Sequence, residues 1–390
     1  MKSIKSHSLA LGIAFVGFTT QFGGGFASGA QIYQYFINYG IWGIVMPIVA
    51  QFLLSLFYWY GMKYAFRYKK YDYRSFSNSF YGKTKVIFSN LYEIEYFIMV
   101  CMAPAVAFAT GGATLSALLN IPYIICTIII GIFILLITLW GSDIVRKCSS
   151  FLSVIIIVGL FVVLIPNIIC QFDVITDSIS KLYNGSMPVG SKESGSFLSA
   201  LWQGTLYGIF QITAIGLMYQ HVRRVKDEKE VGISMIYMFF INTIVMLLTV
   251  LGLLAVAFNS ELSSYSVPML LLVKSGVGSK VLTPIISILI ILGSISTGVN
   301  MIAGIVERIV NQIQNRKKET NSKKQRIYFV VVSLLFTLLT FGIAQFGLIP
   351  LVKVGYSYIG YATIVVIIIP FVIHYIVNLF KKGDKINEVK

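Results

Sequence analysis

Gln21-Phe22-Gly23-Gly24-Gly25-Phe26-Ala27-Ser28-Gly29 lies at the midpoint of the first long apolar run of the chain. Four glycines in seven residues disfavour a helix by about 1 kcal/mol each relative to alanine. In hydrocarbon, every backbone N–H and C=O freed by unwinding must find a partner. A break here is tolerable where it lines a polar cavity or grips a ligand. The competing reading is a small-residue face for close helix packing, which three consecutive glycines exceed.

The medium around this stretch follows from composition. Of 390 residues, 57% are hydrophobic and 12% charged, and mean hydropathy is +0.81. A soluble domain carries about 25% charged residues, so most of this surface must face a lipid bilayer. The sequence predicts an all-α integral membrane protein. Ten apolar stretches meet the need for about 20 residues per crossing: 8–38, 41–66, 87–110, 119–141, 149–170, 197–222, 231–257, 277–310, 327–347 and 351–380. The net charge of +16 does not point to nucleic acid, because the basic residues sit in short blocks between these runs. With ten spans, 26 of the 31 Lys and Arg residues fall on the side of the termini. The positive-inside rule then places both termini in the cytoplasm and the chain in the cytoplasmic membrane. Residues 171–196 form the longest outer loop, and 262–275 reads as an external amphipathic helix. Cys101, Cys126, Cys148 and Cys170 read as inert thiols.

A second interruption is expected in span six, at Gly204-Thr205-Leu206-Tyr207-Gly208-Ile209-Phe210-Gln211-Ile212-Thr213. Helix packing explains that stretch equally well. Spans one and six each open a set of five, and an odd set inverts the topology of the next. Interrupted helices at corresponding places in inverted halves point to the central site of a transporter. The halves are 1–170 and 197–380, with 381–390 as a cytoplasmic tail. In span eight, Gly293, Ser296 and Thr297 share a face by i, i+3, i+4 spacing. A carbonyl and two hydroxyls there would suit a desolvated Na⁺. The alternative is that both hydroxyls bond back to their own helix.

The residues 23–29 with Tyr35-Phe36, Gly298-Val299-Asn300 through Val306-Glu307-Arg308, and Lys353-Val354-Gly355-Tyr356 together resemble the bacterial YkvI-like membrane protein family. That family is similar to the amino acid–polyamine–cation superfamily. The resemblance implies a LeuT-type five-plus-five inverted repeat with substrate and ion sites between spans one, three, six and eight. By position it nominates Gly23, Gly24, Gly25, Phe26, Ser28, Tyr207, Gly208 and Gln211 for a small solute, and Gly293, Ser296 and Thr297 for Na⁺. In the family's pattern a Glu often follows Ala-Ser-Gly; here Ala30-Gln31-Ile32 puts a neutral amide there, which weakens a coupling role at that position.

Few charges lie inside the spans. Glu93 and Glu95 open span three and read as an acidic helix start near the inner surface; Glu95, about 12 Å inside if the span begins near 87, could instead take a proton or pair with an inward-side lysine. Glu307-Arg308 reads as a local ion pair or gate contact, and Lys353 as a snorkelling side chain or part of an outer vestibule. Tyr92 is expected among the interfacial aromatics, and Pro47, Pro104, Pro284 and Pro370 as kinks. The sequence holds no Walker loop, nucleophile turn or metal-ligand cluster, so no enzyme and no further cofactor is expected. The expected function is secondary transport of a small, amino-acid-like solute by alternating access, Na⁺-coupled. The alternative is a receptor-like protein of the same fold that binds without transporting.

Overall fold

The computed structural model describes residues 2–140, 142–317 and 322–387. Within these, side chains at 2–6, 142–150, 153, 315–317, 322 and 381–387 are not described. Arg146, Lys147, Cys148 and the tail 381–390 therefore lie wholly or partly outside the described residues.

The described chain is helical and contains no strand. Span one is split into α1 (Lys2–Gln21), α2 (Gly24–Ala27) and α3 (Ala30–Tyr35). It is followed by α4 (Met46–Tyr68), α5 (Tyr73–Phe80), α6 (Lys85–Leu119), α7 (Tyr123–Trp140) and α8 (Ser142–Cys170). A bend of 79° then leads into α9 (Phe172–Tyr183). The second half begins with α10 (Phe197–Ile212), which passes into 3₁₀ segments at Thr213–Leu217 and Tyr219–Arg224. Next come α11 (Glu228–Leu254), α12 (Pro268–Ser275), α13 (Ser279–Lys317) and α14 (Ser322–Ala344). The last span is α15 (Leu348–Pro350), α16 (Tyr356–Thr363) and α17 (Ile369–Asn387), joined by π-helical turns at Leu351–Gly355 and Ile364–Ile368.

Among the described residues, six continuous helical stretches are long and apolar enough to cross a bilayer, or seven with the bent α8–α9 pair. Ten spans were expected. Spans one and six, whose helices are interrupted, and span two, whose α4 is continuous, fall outside that count. Pro47 starts α4 rather than kinking it, whereas Pro104 and Pro284 lie inside α6 and α13. The outer loop is also more ordered than its polarity suggests: Ile175, Ser178 and Leu182 are buried at helical spacing on α9.

The faces of α7 explain how such apolar helices are oriented. Cys126, Thr127, Ile130, Gly131, Ile134 and Thr138 point inward, while Ile124, Ile125, Ile128, Ile132, Phe133 and Leu136 are exposed. The small and polar residues thus pack against protein together with Ile130 and Ile134, and the outward set is entirely apolar, as suits lipid. The halves interlock reciprocally. The opening helix of each packs on the second helix of the other, α1 on α11 and α10 on α4, while α6 and α13 meet at the centre.

Candidate functional site

Span one breaks twice. Phe22 N–H still bonds Phe18 C=O at 2.8 Å, but Gly23 is extended (φ −88°, ψ −166°) and caps the four-residue α2. The second kink is at Gly29, whose φ of +80° is a left-handed conformation that glycine adopts without steric cost. Ser28 closes this kink: its hydroxyl donates to Gly25 C=O (2.8 Å) and accepts from Ala30 N–H (3.2 Å). The external segment fastens onto the same point, with Met269 N–H bonded to Ser28 C=O at 3.0 Å. All six residues from Pro268 to Val273 are buried, so α12 is enclosed on every face rather than laid over the protein by one amphipathic face as expected.

The glycines are required by what lies opposite. A Cβ on Gly24 would overlap Ser294 Oγ and come within 3.0 Å of Ser294 Cα; one on Gly23 would stand 2.6 Å from Thr297 Oγ1. The first break is therefore pressed against α13, along Gly293, Ser294 and Thr297. Thr297 Oγ1 donates to Gly293 C=O at 2.9 Å, so that hydroxyl does bond back to its own helix. Ser294 is fully buried and its Oγ has no hydrogen-bond partner. Ser296, one of the three residues nominated from spacing, instead lies 3.5 Å from Asn300 Nδ2.

A hollow opens beside the break. Gly23, Gly24, Gly25, Gln31, Gln211 and Thr297 supply its polar side; Val106, Phe210, Met301 and Tyr356 are among its apolar lining. It is small, about 30 Å³, on the scale of one or two waters. An organic solute would require the elements to part. Phe210 and Tyr356 stack at 4.7 Å between centroids, with Tyr207 edge-on to Phe210 at 5.1 Å. Tyr207 O–H donates to Gln31 Oε1 at 3.3 Å and sits behind this wall. Phe26 is fully buried, 4.1 Å from the Phe22 ring.

Span six departs from expectation. Helix α10 continues through Gly204 and Gly208 to Ile212, and its irregular part begins at Thr213. The two glycines serve packing: a Cβ on Gly208 would stand 2.7 Å from Ala50 O, and one on Gly204 2.7 Å from Met46 Cβ. Tyrosine hydroxyls cap carbonyls at the transition. Tyr58 donates to Gln211 C=O at 3.2 Å and Tyr92 to Thr213 C=O at 3.4 Å. Tyr92 is thus buried and is not an interfacial anchor.

Ionic contacts flank the hollow. Glu93 accepts from Tyr73 O–H at 2.7 Å and from Arg74 and Arg308. Arg308 reaches across to span three rather than acting through a neighbour on its own helix. At the other end Lys353 pairs with Glu193, beside a second hollow of about 320 Å³ lined by Tyr33, Gln34, Asn38, Lys192 and Tyr265. Glu95 is buried rather than superficial.

No family model and no curated protein matches this sequence. Solved structures do match. One is MhsT in complex with L-phenylalanine, with TM-score 0.57, 14% identity, and coverage of 93% of this chain and 87% of that one. Another is a substrate-bound, outward-open Na⁺-coupled sialic acid symporter, with TM-score 0.53, 10% identity, and coverage of 88% and 80%. At such identities the likeness shows the fold, which is of the LeuT type.

Proposed function

We propose that this protein is a secondary transporter that moves a small, amino-acid-like solute across the cytoplasmic membrane by alternating access, coupled to Na⁺. The observation that carries this reading is the first break. The extended Gly23, the helix-opening Gly24 and Gly25, Gln211 of span six and Thr297 of span eight line one hollow. Backbone N–H groups opening α2 have no partner within that helix and suit a carboxylate; Gln211 and Gln31 suit a polar end. The fold is shared with a Na⁺-coupled sialic acid symporter and with a protein solved with L-phenylalanine, and transport is the reading that this likeness supports.

The Na⁺ seat lies where α2 meets α13. The buried, unpartnered Ser294 Oγ fits a neutral oxygen ligand, and Thr297 Oγ1 and Gly293 C=O are its neighbours. These atoms would hold Na⁺ and join span one to span eight, which favours the solute-bound arrangement. The residues 1–170 and 197–380 are the two moving repeats, and the basic side, with Arg74 and Arg308 on Glu93, is the closed cytoplasmic gate.

The test is uptake of labelled amino acids by proteoliposomes under an imposed Na⁺ gradient. Concentrative uptake that collapses with the gradient is expected. Loss of one neutral ligand, about 1–1.5 kcal/mol, raises the Na⁺ needed for half-maximal uptake about tenfold in Ser294→Ala and Thr297→Ala, with Ser296→Ala close to wild type. Binding of a solute without flux would overturn transport. Unchanged Na⁺ dependence in both variants would overturn this seat.

A further inference from the structure

Glu95 lies ten residues into α6, about 15 Å from its basic end, and is 2% exposed. Its surroundings are hydroxyls rather than cations. Thr213 Oγ1 lies 3.1 Å and Thr363 Oγ1 2.6 Å from Glu95 Oε1, and the two hydroxyl oxygens are 2.6 Å apart. Thr363 Oγ1 is also 2.8 Å from Ile359 C=O of its own helix. Glu95 Oε2 is buried with no hydrogen-bond partner. Among the described residues no Lys, Arg or His forms an ion pair with Glu95; Arg74 and Arg308 are engaged by Glu93.

Proton arithmetic distinguishes the two forms of this cluster. Four close oxygen–oxygen contacts share the two hydroxyl protons when Glu95 is ionised, since each hydroxyl has one proton to give. Two contacts then lack a proton, and a negative oxygen stands buried and bare, the most costly arrangement for a polar group. A proton on Oε1 supplies a third hydrogen bond and removes the charge. The unpartnered Oε2 is then a neutral carbonyl oxygen.

The elements that meet at this carboxyl are the irregular ones. Thr213 begins the 3₁₀ segment of span six, and Thr363 directly precedes the π-turn Ile364–Ile368. The titratable side chains within its field are Tyr81 and Tyr92. Each donates its proton to a carbonyl of these same elements, Tyr81 to Val366 at 2.7 Å and Tyr92 to Thr213 at 3.4 Å.

We propose that Glu95 is a proton-binding site, and that its charge state governs whether the inner part of span six stays docked on spans three and ten. With the proton in place, the cluster ties Thr213 and Thr363 to α6. On its release to water, the carboxylate must be solvated, and residues 213–217 move aside to admit that water. The site acts independently of the Na⁺ seat and needs no solute, so it can hold or fail apart from the transport reading.

The test uses full-length protein in lipid nanodiscs. Infrared difference spectra between acidic and alkaline buffer are expected to show a protonated-carboxyl C=O band that fades as pH rises. The band should be absent in Glu95→Gln and retained in Glu93→Gln. Thr363→Val should move its titration to higher pH, because the carboxylate loses a donor; this holds even if Glu95→Gln does not fold. In a variant without native cysteines, thiolate formation alone quickens maleimide labelling as pH rises, so the rate at Leu217→Cys is divided by that at the exposed Tyr183→Cys; this ratio should rise about tenfold with pH, within the usual range of site coupling, and Glu95→Gln should remove the rise. A band unchanged in Glu95→Gln, or unmoved in Thr363→Val, overturns the proton site. A Leu217→Cys rate that keeps a constant ratio to the Tyr183→Cys rate at every pH overturns the switch.

Discussion

The two interrupted spans are built on opposite principles. In span one the backbone leaves the helix because glycine allows it, and the exposed main chain faces a hollow and the unpartnered Ser294. In span six the backbone tightens at Thr213-Ala214-Ile215-Gly216-Leu217, and hydroxyls of Tyr58 and Tyr92 satisfy carbonyls at the transition. In the proposed transport cycle the first break keeps its polar groups available for a ligand. The second spends them on its neighbours, as expected of a hinge that must stay intact while it moves.

The largest effect should come from filling the first break. Gly24→Val puts a branched side chain where even a Cβ overlaps Ser294. Overpacking of this kind costs about 1–3 kcal/mol. Uptake should fall to background while the protein still inserts, and Ser294→Gly should partly restore Gly24→Ala. Measured transport and thermal unfolding in nanodiscs check both. Next, Tyr58→Phe and Tyr92→Phe each remove a hydroxyl donor from a carbonyl at the second break, where Gln211 C=O keeps its bond from Thr213 N–H. The expected cost is about 0.5–1.5 kcal/mol of stability, read as a lower unfolding midpoint, with Na⁺ affinity unaltered. If either variant lost Na⁺ affinity instead, the division between gripping and hinging would be wrong.

Gly208→Ala is a finer probe. Its Cβ would meet the Ala50 carbonyl at 2.7 Å, while alanine favours the helix by about 1 kcal/mol. A modest net loss of stability with unchanged solute affinity is expected, because Gly208 is a packing contact. A selective loss of affinity would return it to the site. The smallest effect belongs to the outer pair. Lys353→Gln should cost no more than about 1 kcal/mol, and less at high salt, since both partners are partly exposed.

These differences explain what the sequence alone could disclose. Gly23-Gly24-Gly25 was legible because the residue type is itself the signal. Gly204 and Gly208 carry a similar signal and serve close packing, since a small residue marks either an unwound backbone or a near neighbour. The true departure at Thr213 is set by tyrosines from other helices, which no local pattern reveals. On span eight the spacing 293, 296, 297 suggested a face, but 293, 294, 297 lies on nearly the same face and is the set pressed against Gly24. A helical rotation of that size is fixed by the partner. Whether Glu95 is superficial or buried is not legible locally, because it depends on Thr213 and Thr363, distant in sequence, closing over it.

Transport as proposed requires the first break to be hydrated and sensitive to Na⁺. Hydrogen–deuterium exchange of the Gly23–Gly29 amides in lipid nanodiscs tests this most directly. Rapid exchange at Gly24 and Gly25 in K⁺ buffer, slowed when Na⁺ replaces K⁺ and no longer slowed in Ser294→Ala, is the predicted result. Exchange as slow as in the middle of α7, indifferent to the cation, would contradict it.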